Sequence, residues 1–131
     1  MEKRILFATP YPSTAVIQGP TLIDDDSGLL VAMSCDDEGH EKFIRLRFIK
    51  PRAFRKREQT YCTSWHVKDT FDTVCEIDKS DWIEELRSDA MPEWRDQWIM
   101  RHFMVYFDNF GCLEVAAESA ELVGDKNSTG T

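Results

Sequence analysis

The stretch Trp98-Ile99-Met100-Arg101-His102-Phe103-Met104-Val105-Tyr106-Phe107-Asp108-Asn109-Phe110-Gly111-Cys112-Leu113-Glu114-Val115-Ala116-Ala117-Glu118-Ser119-Ala120-Glu121-Leu122-Val123 decides the fold. Side chains alternate across a strand, so Arg101, Phe103, Val105 and Phe107 share one face, and His102, Met104, Tyr106 and Asp108 the other. Both faces carry apolar bulk, which predicts a central strand covered on both sides. Asp108 to Gly111 suits a short hairpin turn, with Gly111 available for positive φ. Cys112 to Leu122 then reads as one returning strand. It buries Leu113, Val115 and Ala117, and presents Glu114 and Glu118 on a wet outer face.

Working outward, Ser80 is a good N-cap, and Asp81, Glu84 and Glu85 suit the positive end of a helix dipole. Trp82, Ile83, Leu86 and Ala90 recur at helical spacing, so a helix is predicted over 81–89. Pro92 to Trp98 can add one further turn. Leu29–Cys35 and Lys42–Lys50 read as a hairpin whose core face is Ile44, Leu46 and Phe48. Phe71–Asp78 reads as another strand, and Gln59–Val67 as a segment that can include one. Pro10, Pro12 and Pro20 confine the N-terminal region to short edge strands. Pro51 ends its strand, leaving Arg52–Gln59 as a basic connection. The expected fold class is α+β: one domain over 1–123, mainly antiparallel sheet, with one helix on one face and a C-terminal β-hairpin. A sandwich or small barrel with a helical insertion is the nearest alternative. The polar tail 124–131 is expected to be disordered.

At 131 residues, 42% hydrophobic and 31% charged, the composition is that of one ordinary folded domain. No apolar run is long enough to span a membrane or to act as a signal peptide, so a cytoplasmic location is expected. Cys35, Cys62, Cys75 and Cys112 lack metal-ligand spacing. They are read as reduced thiols, with no metal and no cofactor.

The net charge of −8 is unevenly distributed: half of the 16 basic residues fall in the acid-free stretch 42–57. Arg45, Arg47, Arg52, Arg55, Lys56 and Arg57, interleaved with phenylalanines, offer an alternative nucleic-acid surface. The acidic remainder would repel a phosphate backbone, which disfavours that alternative. Cys62 and His66, four apart, or His102 with a neighbouring carboxylate, are the candidates for a small enzyme or ligand-binding domain. A deep pocket holding His102, with an acid in hydrogen-bond reach, would favour that reading. Gly-rich phosphate loops and hydrolase or metalloprotease motifs are missing from the sequence.

The run Met100 to Val115 resembles the closing hairpin of small bacterial proteins, some of them encoded beside secreted toxins and similar to immunity proteins. The resemblance implies a small inhibitor or binding protein and brings no catalytic residues. The first expectation is therefore a protein that occludes a protein partner, a basic nucleic-acid-handling toxin being the kind the charge suits. A DNA-mimicking inhibitor would share the composition. Asp24, Asp25, Asp26, Asp36, Asp37 and Glu38 are the candidates for steering, and Trp94 and Trp98 for anchoring.

Overall fold

The computed structural model describes residues 2–95 and 97–123, so the predicted disordered tail lies outside the described residues. The fold is α+β and mainly antiparallel. Among the described residues nine strands run in chain order: β1 (Glu2–Ala8), β2 (Val16–Asp25), β3 (Gly28–Asp37), β4 (His40–Ile49), β5 (Ala53–Arg57), β6 (Thr73–Asp78), β7 (Arg101–Phe107), β8 (Gly111–Ala117) and β9 (Ser119–Leu122). Two α-helices among the described residues, α1 (Ser64–Val67) and α2 (Asp81–Asp89), lie between strands of the larger sheet. That sheet has the order β1-β6-β7-β8-β5, and a smaller one the order β2-β3-β4-β9.

The inner faces of the two sheets meet in one core. Leu29, Val31, Ile44, Leu46 and Phe48 from the smaller sheet pack with Val74, Phe103, Val105, Phe107, Leu113 and Val115 from the larger. Phe48 and Phe103 bring their rings to 5.9 Å across the interface. The opposite face of the larger sheet is covered by α2, where Ile83 packs with Met100 and Ala116, flanked by Trp82, Leu86 and Trp98. This is why β7 is apolar on both sides: it is covered by a sheet on one face and by helix and loop on the other.

One long ladder joins the two sheets at a corner. β4 pairs with β9 from Leu46↔Leu122 to Ile49↔Ser119, and β5 pairs with β8 from Ala53↔Ala116 to Arg57↔Cys112. At the bend, Glu118 N–H donates to the Ile49 carbonyl and Arg52 N–H to that of Ala116. Lys50 adopts φ 52 there. Strands that change sheet at such corners do so through local bends.

Three expectations are corrected by this corner. Cys112 to Leu122 is two strands in different sheets, not one. Arg52–Gln59 contains β5, because Pro51 ends one strand without preventing another from starting. The outer face of β8 is not wet, since every residue of Gly111–Ala117 is buried. In addition, Gln59–Val67 holds a 3₁₀ turn and α1 rather than a strand, and Val16–Asp25 is one ten-residue edge strand rather than short pieces, because Pro20 is accommodated where the register with β3 shifts between Gln18 and Thr21.

Candidate functional site

The register of the larger sheet builds a polar stripe into its helix-covered face. Met104 lies opposite Glu114, and Glu114 opposite Arg55, while His102 lies opposite Ala116 in the next row. His102 and Glu114 are therefore diagonal neighbours, within reach of long side chains. His102 Nε2 is 2.8 Å from Glu114 Oε1. Arg55 grips the same carboxylate with a fork, Nε to Oε2 at 3.0 Å and Nη2 to Oε1 at 3.0 Å.

The other end of the imidazole meets the helix. After β6, Lys79 turns the chain with φ 53 and places Ser80 at the N-cap of α2, where its Oγ accepts the Ile83 N–H at 3.1 Å. The same Oγ is 2.7 Å from His102 Nδ1. Both imidazole nitrogens therefore have a partner, Nε2 the Glu114 carboxylate and Nδ1 the Ser80 hydroxyl. Trp82 sets its ring edge-on to His102 at 5.0 Å, and the Arg55 guanidinium lies 4.3 Å from the Trp82 ring centre.

Burial opposes ionisation of Glu114. The hydrogen bonds from His102 and Arg55, with the Arg55 charge, outweigh it and hold the carboxyl at about 2. Glu114 is thus an anion whose charge is compensated by Arg55 and whose Oε1 is also hydrogen-bonded by His102. His66 sits nearby on α1. Desolvation and the Arg57 charge push its pKa down, and its Nδ1 accepts from the Thr63 backbone at 2.9 Å.

Three open clefts surround the stripe. One of about 560 Å³ is bounded by Ser80, Met100, Arg101 and His102. A second of about 190 Å³ lies between Trp65 and Trp82 above Glu114. The third, about 210 Å³, lies over Arg55, Arg57, Trp65 and His66. His102 is only 3% exposed and forms part of the wall of open clefts, not the floor of a deep pocket. An acid within hydrogen-bond reach of it is present.

The other candidates are distributed as follows. Asp24, Asp25 and Asp26 are at the β2–β3 turn, and Asp36, Asp37 and Glu38 at the β3–β4 turn, at opposite ends of the ten-residue β3. At about 3.3 Å per residue, roughly 30 Å separates them, so they cannot act as one patch. Trp94 is 45% exposed in the turn after α2, whereas Trp98 is half-buried beneath Arg52, 4.8 Å from its ring centre. The basic stretch is divided by the corner. Arg45 and Arg47 belong to β4 of the smaller sheet, with Arg47 3.7 Å from Glu121, while Arg55, Lys56 and Arg57 belong to the larger sheet and Arg52 stands just before β5. Cys62 and His66 do not form a couple: the thiol donates to the Arg57 and Glu58 carbonyls, and the imidazole caps α1.

The sequence reading missed Glu114 as a buried group, Ser80 as the partner of His102, and Arg55 as the partner of Glu114. A signal for the first existed. The turn at Asp108–Gly111 fixes the hairpin register, and counting back from Phe107↔Gly111 places His102 diagonal to Glu114. The chain matches no family model, no curated protein and no solved structure.

Proposed function

We propose that this chain is a small binding protein that occludes a protein partner, in the manner of an immunity protein against a nucleic-acid-handling toxin. The observation that carries this reading is the set of tryptophan and arginine side chains on and beside the helix-covered side of the larger sheet. Trp65, 40% exposed, and Trp94 stand out from it, and Trp82 and Trp98 lie beneath Arg55 and Arg52. Trp and Arg, with the exposed Met91 beside them, are the residue types enriched at interface centres. The net charge of −8 suits a basic partner and would raise its encounter rate more than its final affinity. Reconstitution tests the reading. A protein captured from the native host should form a stoichiometric complex with this chain and lose its own activity in it. Turnover by this chain with the captured protein left active would contradict it.

A second reading is favoured by one specific arrangement, Ser80–His102–Glu114. A serine at a helix N-terminus, hydrogen-bonded to an imidazole that a carboxylate orients, has the parts of a nucleophile and its base. Against it, the Ser80 Oγ is already occupied by the Ile83 N–H, and Arg55 neutralises the carboxylate. Labelling of wild type but not Ser80→Ala by a fluorophosphonate probe would establish the hydrolase reading, and no labelling would remove it.

A further inference from the structure

We infer that the free edge of β5 is a docking strand for an extended segment of a protein partner in which acidic and apolar residues alternate. β5 ends the larger sheet, pairing with β8 on one side and with no other strand among the described residues. An unpaired edge presents backbone donors and acceptors that an added strand can satisfy. The two faces of β5 define what that strand must carry. Arg55 and Arg57 project two residues apart onto the helix side, over the cleft of about 210 Å³ that Trp65 and His66 also line. Phe54 alternates to the opposite face and stays 42% exposed.

Charge decides between a peptide and a polyanion. The anion in the cleft floor, Glu114, is already compensated by the Arg55 fork and hydrogen-bonded by His102, and His66 is held toward its neutral form. Among the described residues Arg57 commits only Nη1, to the Tyr61 carbonyl at 3.3 Å. The cleft therefore holds a small cationic excess within a chain of net charge −8. Because the corner puts Arg45 and Arg47 in the other sheet, no continuous cationic track is left for a phosphate backbone. A strand with a carboxylate facing Arg57, and a second two residues along facing the Nη1 that Arg55 leaves outside its fork with Glu114, fits this spacing, and its intervening apolar side chains meet Phe54. Repulsion from the acidic remainder is screened beyond about 8 Å at physiological salt, whereas the cleft contacts are direct.

The inference rests on the binding-protein reading and adds where the partner sits and which part of it does so. The probe is a fluorescent peptide of about ten residues alternating Glu and Val, long enough to pair with the whole of β5. Saturable binding to the full chain is expected, weakening several-fold between about 50 and 200 mM salt. On binding, amides of residues 53–57 should gain hydrogen-exchange protection. Arg57→Glu and, separately, Phe54→Ser should each reduce affinity about tenfold while leaving the unfolding curve in place. The inference is overturned by absence of saturation at about 1 mM peptide. Equal binding of a Lys-for-Glu peptide, tighter binding of a single-stranded oligonucleotide, or binding without protection of β5 would also overturn it. Self-association of the free chain through β5 would likewise replace the heterologous partner with a second copy. A negative peptide result with a stoichiometric partner still captured removes β5 as the seat and leaves the binding reading standing.

Discussion

His102 and Glu114 meet at 2.8 Å across a diagonal of the β7–β8 ladder, and through them the N-cap of α2 is tied to the edge strand β5. The connection is polar and satisfied at each link, buried at Ser80, His102 and Glu114 and open to solvent at Arg55. Buried networks of this kind fix one arrangement when complete and are costly when one member is lost.

The first consequence is a pH dependence. The Glu114 carboxyl is held down to about 2 in the folded chain, below the value near 4.3 of an unfolded glutamate. Its contribution to stability is therefore complete above about pH 5 and disappears as pH falls from there toward 2. Glu114→Gln should cost about 1 to 3 kcal/mol at neutral pH and make stability less sensitive to acid in that window. Urea unfolding at several pH values measures both, and an unchanged acid limb in Glu114→Gln would contradict the assignment.

Ser80 carries two hydrogen bonds, one to the helix and one to His102. Ser80→Ala should cost about 1 to 2 kcal/mol through loss of the cap. It should also shift the ring resonances of His102 in NMR spectra. Full stability with an undisturbed His102 would mean that the cap and the relay are not coupled.

Phe103 is fully buried where the two sheets meet, with its ring near that of Phe48. Phe103→Ala should cost about 3 to 5 kcal/mol in chemical denaturation. A loss under about 1 kcal/mol would be incompatible with a packed site.

The four cysteines are free, and Cys35, Cys75 and Cys112 are buried, with the Cys112 thiol pushed up by burial to about 12. Cys62, half-buried, should be alkylated first in the native chain, and the other three only on unfolding. Mass spectrometry after timed alkylation reads the order. Rapid modification of Cys112 without unfolding would show that β8 is not covered.

Sequence periodicity made β7, the β3–β4 hairpin and α2 legible, because each carries a continuous pattern or a cap within its own residues. Ser80 was readable as a cap on local grounds, but not as the partner of His102, which arrives from another strand. The corner was hidden for a physical reason. Glu118 has neither the fixed φ of proline nor the freedom of glycine, so nothing local breaks the β8–β9 run, and the bend is imposed by the second sheet. β5 was hidden by its composition, since cations at an edge strand look the same as cations in a loop. The acidic turns were legible as turns, but their separation at opposite ends of β3 follows only from how the two hairpins are joined.

The central claim is that the aromatic and arginine side of the larger sheet seats a protein partner, and side-by-side capture tests it most directly. Wild type and a Trp65→Ala/Trp94→Ala variant, shown to unfold alike, are used as bait in lysate of the native host, and retained proteins are quantified. Both rings are about half exposed, so their removal should leave the core intact. The account predicts one protein retained in stoichiometric amount by wild type and depleted at least about tenfold on the variant. Retention of that protein to the same extent by both baits, or no stoichiometric protein on wild type, would contradict it.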